Sequence, residues 1–153
     1  MSARGDHLFT WETHIARRRA EVFAFFADAE NLERITPPEL SFRIRTPLPI
    51  SIAEGALIDY RLGLFGVPFT WKTRISRWEP AQLFVDEQLS GPYAKWVHTH
   101  RFEETEGGTR MYDEVVYRLP LCPAGELAYP LVRLQLRRIF TYRGRRIAAL
   151  LRP

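Results

Sequence analysis

The sequence predicts an α+β fold in which an antiparallel sheet is accompanied by one long helix. Residues 56–120 read as successive strands separated by short turn signals, a pattern typical of an antiparallel meander. Residues 127–150 instead carry apolar side chains at helical spacing. A further strand, a helical segment and a short strand precede the meander. This order of elements favours the α+β class.

The first 50 residues predict a strand, helices and a second short strand. Alternation in "HLFTWETHIA" predicts a half-buried strand whose inner face carries Phe9, Trp11, Thr13 and Ile15. Helical spacing in "RRRAEVFAFFADAENLERI" predicts a helix whose apolar face carries Val22, Phe25, Phe26 and Ala29. A second short turn ends at the prolines of "TPPEL", and "SFRIR" predicts a short strand. Pro47 and Pro49 then mark an irregular link.

The last helix is predicted from a single apolar stripe. That stripe consists of Val132, Leu136, Ile139, Phe140, Ile147 and Leu150. The arginines that lie largely away from it are Arg133, Arg137, Arg145 and Arg146. Pro130 suits the first turn of a helix, where its missing N–H has no intrahelical partner to lose.

Turn signals in the meander predict how its strands pair. Tight turns at residues 65–66, 79–80, 90–92 and 107–108 would align one row of alternating charge across four strands. The row consists of Asp59, Lys72, Glu87 and Lys95, and the last turn adds Arg101 opposite Glu114. Opposite charges directly across a sheet are favourable. We therefore expect this face of the sheet to be solvated.

The opposite face is then the interior, and it is rich in aromatic residues. Its apolar members are Tyr60, Leu62, Leu64, Val67, Phe69, Trp71, Ile75, Phe84, Trp96, Phe102, Met111, Val115, Tyr117 and Leu119. Its polar members are Asp86, Gln88, His98, His100 and Asp113. The predicted register makes His98 a neighbour of Phe84 and Tyr117, with an aspartate diagonal to each histidine. Two histidine–aspartate pairs are thus expected to face an aromatic interior.

Composition narrows the class of protein. Hydrophobic residues make up 46% of the 153, enough for one globular domain spanning residues 1–153. The net charge of +4 comes almost wholly from arginine. The single cysteine, Cys122, excludes an internal disulfide and a cysteine-rich zinc site. Neither a secretory signal nor a membrane span is evident, so we expect a cytoplasmic protein.

The order of these elements resembles the helix-grip fold of the START/Bet v 1-like (SRPBCC) superfamily, in particular its polyketide cyclase/dehydrase-like bacterial subgroup. The segments that carry the resemblance are "ARRRAEVFAFFADAENLERITPP", "FVDEQLSGPYAKWVHTHRFEE", "TRMYDEVVYRLP" and "LVRLQLRRIFTYRGRR". The resemblance implies a curved sheet of about seven strands wrapped on the C-terminal helix, with two short helices after strand one. It also implies an apolar cavity between sheet and helix, lined by the inner face and by Leu136, Phe140 and Arg143.

The first functional hypothesis is binding of a small, largely apolar ligand: a lipid, isoprenoid, polyketide or aromatic compound. We expect a cavity of about 300 Å³ or more for such a ligand. The candidate ligand-binding residues are Tyr60, Trp71, Phe84, Asp86, Trp96, His98, His100, Asp113, Tyr117 and Phe140. The structural alternative is a closed core in which each buried histidine is simply satisfied by an aspartate.

The second hypothesis is a cyclase- or dehydratase-type enzyme. Its candidate acid–base residues are His98, His100 and Asp113, with Asp86 as a further carboxylate. The third is a metal site formed by His98, His100 and Asp113. Because no fourth ligand is evident, we expect neither a metal nor another cofactor.

The fourth hypothesis is a macromolecular partner for the arginine-rich last helix, such as nucleic acid, a ribosome or an anionic membrane. The arginine bias extends along the whole chain, and no aromatic is interleaved on that helix face to stack bases. Contact with nucleic acid or membrane is therefore disfavoured. The tail "RGRRIAALLRP" could instead join a homodimer contact. Ligand binding is the function we expect.

Overall fold

The computed structural model describes residues 5–50, 52–121 and 123–152. The strands are β1 (His7–Ile15), β2 (Arg43–Ile44), β3 (Leu57–Leu64), β4 (Val67–Glu79), β5 (Leu83–Ser90), β6 (Lys95–Thr105) and β7 (Gly108–Arg118). The helices are α1 (Arg19–Phe26), α2 (Asn31–Ile35) and α3 (Tyr129–Leu150), with 3₁₀ turns at Pro38–Leu40 and Ala124–Ala128. The strands form one antiparallel sheet in the order β1-β7-β6-β5-β4-β3-β2. None of the helices described is long and apolar enough to cross a membrane.

Helix α3 lies on the inner face of the sheet, as its apolar stripe predicts. Val132, Leu136, Phe140 and Ile147 are buried, while Ile139 and Leu150 are half-buried. The ring of Phe140 lies 5.2 Å from that of Phe9 on β1. Apolar side chains of β1, β7 and α3 thus form one cluster, which removes their surface from water and holds the helix on the sheet.

Helices α1 and α2 cover the other end of the inner face. Val22, Phe23 and Phe26 of α1 pack with Phe84, Phe102 and Met111 of the sheet. The prediction for this helix needs one correction. Phe23 is buried, whereas Phe25 is only half-buried, because Phe23 meets Phe102 and Trp78 edge-on.

Strand faces are predicted correctly, but strand register is wrong beyond the first hairpin. Asp59 pairs with Lys72 as expected. A bulged β4 then places Lys72 opposite Ser90, so that Arg74 faces Glu87 instead. The remaining members of the predicted row and pair also have other partners: Glu87 faces Val97, Lys95 faces Arg118, and Arg101 faces Tyr112. The row of alternating charge does not form.

Most of these errors are slips of two residues, which keep the faces, whereas the bulge of β4 makes the slip three residues at Lys72. Side chains alternate with a period of two, so an even slip changes the neighbour but not the face. Asp59 and Lys72 are exposed, and Glu87 and Lys95 are half-buried. Val67 is a local exception: it begins β4 and is exposed although it was predicted to face inward.

The slips arise at turns whose lengths the sequence does not reveal. Thr105 pairs with Gly108, so the β6–β7 turn consists of residues 106–107 rather than 107–108. Gly108 has φ +146, and a Cβ there would lie 2.2 Å from the backbone oxygen of Ile15. Only glycine fits this close approach, whereas a Cβ on Gly107 would meet no atom of the described residues within 4 Å.

Candidate functional site

A cavity of about 160 Å³ lies between the inner face of the sheet and α3. Its apolar and aromatic wall includes Phe26, Leu40, Phe42, Tyr60, Leu62, Trp71, Phe84, Tyr93, Trp96, Leu136, Ile139 and Phe140. Its polar wall includes Thr73, Asp86, His98, His100 and Arg143. The cavity is smaller than the roughly 300 Å³ expected, because aromatic side chains fill much of the space. An apolar cavity of about 150 Å³ accommodates a benzene ring.

Eight of the ten candidate ligand-binding residues line this cavity: Tyr60, Trp71, Phe84, Asp86, Trp96, His98, His100 and Phe140. Asp113 lies behind the two histidines, and Tyr117 lies in the cluster under α3. Several wall residues were not predicted from the sequence: Leu32, Thr36, Leu40, Phe42, Ile52, Ile58, Thr73 and Tyr93. Thr73 shares the inner-face alternation of β4 and could have been found by counting, whereas Tyr93 lies in a loop that has no periodic signal.

The two histidines and two aspartates form a closed, buried network. Nε2 of His98 is 2.7 Å from Oδ1 of Asp113, and Nε2 of His100 is 2.6 Å from Oδ2 of Asp86. The imidazole rings stack with centroids 3.6 Å apart. Nδ1 of His100 lies 3.3 Å from Asp113, close enough for ion pairing but without hydrogen-bond geometry.

This network also corrects the predicted pairing. Asp86 lies directly across from His98, and Asp113 directly across from His100. The neighbours of His98 on the flanking strands are therefore Asp86 and Val115, not Phe84 and Tyr117. Phe84 instead stacks on His100, with ring centroids 4.1 Å apart. Each histidine thus contacts both carboxylates instead of one.

Both carboxyl groups remain ionised in this buried setting. Burial alone would raise the pKa of Asp113, but the contacts from His100 and His98 and the charge of Arg143 lower it below its ordinary value. Burial likewise opposes ionisation of Asp86, but its interactions with His98 and His100 and the charge of Arg143 outweigh burial, so that the pKa of Asp86 is also lowered. The site therefore holds two negative charges.

The pKa values of the two histidines are shifted in opposite directions. Burial and the charge of His100 lower the pKa of His98. Burial would lower that of His100 as well, but its contacts with Asp113 and Asp86 raise its pKa. Near pH 6.5, His100 is then the imidazolium and His98 the neutral ring, because two charged rings in contact would repel each other. One proton donor and one neutral base thus sit side by side at the cavity wall.

We expect the two rings to titrate on opposite sides of the ordinary imidazole pKa of about 6.5. His100 should keep its proton above that pH, and its stabilising contribution is lost as the pH rises through its raised pKa. His98 should stay neutral below it, and protonating His98 then destabilises the folded state. Imidazole ¹⁵N chemical shifts followed with pH, assigned with His98→Gln and His100→Gln variants, measure both. A shared midpoint near 6.5 would contradict the assignment.

Asp86, His98 and His100 are also the described residues that come nearest to a metal-binding group. One ligand atom from each lies within 4.8 Å of the others. The sequence predicted Asp113 as the third member of this group, whereas the structure brings Asp86 to that position. Nε2 of His100 and Oδ2 of Asp86 are in direct hydrogen-bond contact, so that an ion bound by both would have to displace this hydrogen bond. The absence of a metal remains a prediction.

Arg143 of α3 completes the polar wall. Its guanidinium lies over the rings of Phe26 and Phe140, 5.2 and 5.5 Å from their centroids. Across the cavity, the hydroxyl of Tyr60 and Oγ1 of Thr73 are 3.1 Å apart and hydrogen-bonded. Burial, with the charge of Asp86, raises the pKa of Tyr60, so the phenol stays neutral.

Comparison with known proteins places the chain in a family. Residues 15–141 match the family model for polyketide cyclase / dehydrase and lipid transport proteins. The chain belongs to this family. The polyketide cyclase/dehydrase and lipid transport family is the one that the resemblance indicated, so that expectation is confirmed. A search of curated protein sequences finds no significant match.

Solved structures confirm the helix-grip fold. TTHA0849 from Thermus thermophilus is 17% identical, with a TM-score of 0.74, over 94% of this chain and 99% of its own. The Zhui aromatase/cyclase from a Streptomyces species is 14% identical, with a TM-score of 0.77, over 95% and 93%. Ginseng major latex-like protein 151 from Panax ginseng is 13% identical, with a TM-score of 0.67, over 97% and 99%. At these identities the likeness concerns the fold alone.

Proposed function

We propose that this family member binds a compact, largely apolar molecule in the cavity between the sheet and α3. The observation that carries the proposal is an aromatic cavity onto which a few polar side chains converge: Asp86, His98, His100 and Arg143. Apolar walls favour a ligand by removing its surface from water, and a small set of fixed polar groups orients it. Membership of a family named for polyketide cyclisation and lipid transport supports the same proposal.

The size and chemistry of the wall favour a ring system over a long acyl chain. A volume of about 160 Å³ is close to that of a cavity that accommodates benzene, and so suits a compact ring system. The rings of Tyr60, Tyr93 and Trp96 surround Trp71 with centroids 5.3–5.7 Å away, in stacked and edge-on arrangements. Such spacings are those at which aromatic groups attract one another, so an aromatic ligand would find partners on several sides.

A second candidate function is acid–base catalysis on the bound molecule, as in a cyclase or dehydratase. The observation that favours it is the pairing of a neutral His98 with a protonated His100 at the cavity wall. The chemistry that such a pair supports is proton transfer to and from the bound molecule. Ligand binding is common to both candidates and is tested first.

Filling the cavity should abolish binding. We expect Ile139→Trp to weaken binding of the neutral probe 2-acetylnaphthalene at least about tenfold, because the indole occupies space that the probe needs. Leu134→Trp is the matched control, since Leu134 lies on the same helix but is exposed. Isothermal titration calorimetry measures affinity, and circular dichroism checks that each variant folds. Wild-type protein that binds no such ring, or equal affinity in both variants, would contradict the proposed site.

A further inference from the structure

We propose that the ligand of this cavity carries a carboxylate, which the guanidinium of Arg143 holds side-on through two hydrogen bonds. This inference rests on the proposed function and adds the chemical class of the ligand's polar group. The rest of the ligand is the compact apolar body that the aromatic wall accommodates.

The first observation is an unused hydrogen-bonding edge. Nε and Nη2 of Arg143 are buried and have no hydrogen-bond acceptor among the described residues. These two nitrogens lie along the same edge of the guanidinium and donate in parallel. That spacing matches the two oxygens of a carboxylate, and such bidentate pairs are among the strongest hydrogen bonds in proteins. A buried donor without an acceptor is costly, so a ligand that supplies both acceptors gains affinity.

The second observation is that the resident carboxylates do not use this edge. Within the described residues, the ion pairs of Asp86 and Asp113 go to His98 and His100, and none reaches Arg143. The charge of Arg143 still acts on both aspartates from a longer distance and lowers the pKa of each. The charge of Arg143 therefore acts on both aspartates, while its Nε and Nη2 groups remain available to donate hydrogen bonds to a ligand.

The third observation is that Arg143 is held in place before any ligand arrives. Its guanidinium carbon lies 5.2 Å from the ring centroid of Phe26 and 5.5 Å from that of Phe140. Cation–π contacts are made with the ring faces and use no hydrogen-bond acceptor, so the N–H groups of the guanidinium remain available. Other arginines of α3, such as Arg137 and Arg145, are exposed. A pre-oriented donor pair loses little conformational entropy on binding.

An added negative charge can also be accommodated. The charges of Asp86 and Asp113 are opposed by those of Arg143 and of protonated His100, which leaves His98 as the neutral imidazole. A ligand carboxylate near this group would favour protonation of His98 and so offset its own charge. Protonation of His98 can thus restore the charge balance of the network without moving the backbone.

Two probes of nearly equal shape test the inference: 2-naphthoate, which offers two carboxylate oxygens, and 2-acetylnaphthalene, which offers one carbonyl. Wild-type protein should bind 2-naphthoate more tightly. Arg143→Met should weaken 2-naphthoate about 10- to 100-fold and the ketone by less than about tenfold. Arg143→Lys keeps the charge but loses the side-on fork, so its loss should be intermediate. Arg145→Met, an exposed arginine on the same helix, should bind both probes as wild type does.

Isothermal titration calorimetry separates the outcomes. Equal affinity of the two probes for wild type, or an equal loss of both in Arg143→Met, overturns the carboxylate inference while the binding cavity stands. No binding of either probe to folded wild type overturns the proposed function and the inference with it. If Arg143→Met unfolds, Arg143→Lys decides: an unchanged preference for 2-naphthoate overturns the inference, and a preference reduced several-fold supports it.

Discussion

Replacing Asp113 by alanine is expected to lower the free energy of unfolding by about 3–5 kcal/mol. The carboxylate is fully buried, with Oδ1 2.7 Å from Nε2 of His98 and 3.3 Å from Nδ1 of His100. Its loss leaves His98 without that hydrogen-bond partner and protonated His100 with one counter-charge instead of two. Removing one partner from a buried ionic network costs far more than removing a surface pair. Urea unfolding followed by circular dichroism measures the change.

Glu114→Ala is the matched control for Asp113→Ala. Glu114 is the next residue and lies half-buried on the outer face of β7, so its loss should change stability by about 0.5 kcal/mol or less.

The pH dependence of stability gives a second check on the role of Asp113. Because the pKa of Asp113 is lowered in the folded state, its contribution is present above the unfolded value of about 3.9 and is lost as the pH falls below it. Equal losses in the two variants would show that the network contributes no special stability.

Replacing Phe140 by alanine is expected to lower the free energy of unfolding by a similar amount, about 3–5 kcal/mol. Phe140 is buried, and its ring lies 5.2 Å from that of Phe9 and 5.6 Å from that of His98. It also lies beneath the guanidinium of Arg143. Truncation therefore removes the contact that ties the middle of α3 to the sheet and leaves a void. Thermal and urea unfolding measure the loss.

Leu134→Ala serves as the control for Phe140→Ala, because Leu134 is on the same helix but 62% exposed. Its effect should be about 0.5 kcal/mol or less. The void should also join the ligand cavity, so that the folded fraction of Phe140→Ala accepts a bulkier ring system than wild type does. Equal stability of the two variants would mean that α3 is held on the sheet by other contacts.

Local pattern was sufficient to predict the elements and their faces. Alternation along β7 identifies Met111, Asp113, Val115 and Tyr117 as inward, and each of them is buried. Helical spacing in α3 likewise identifies Leu136 and Phe140. These periods depend only on backbone geometry within one strand or helix, so that they can be read without knowing what lies opposite. The same reading brought His98 and His100 to one buried face.

Pairing between strands could not be read in this way. It depends on turn lengths and on the bulges of β4, which are chosen by how the whole sheet packs against its helices. A slip of two residues keeps every face, so the hydrophobic pattern does not oppose it. The slip nevertheless turned diagonal aspartates into direct neighbours, and it decided that Asp86 and Asp113 each contact both histidines.

The order of the elements and their local patterning were therefore enough to predict the fold, the aromatic interior and most of the residues that face it. The volume of the cavity and the contacts that hold Arg143 in it depend on tertiary packing. Helical spacing puts Arg143 on the same face of α3 as Leu136 and Phe140 and leaves Arg145 off it, but spacing does not show what holds the guanidinium. The guanidinium of Arg143 is held by Phe26 from α1 and Phe140 from α3, which meet only when the helices pack on the sheet. Local periodicity thus turns Arg143 toward the sheet, and packing of distant segments holds its charge inside an apolar site.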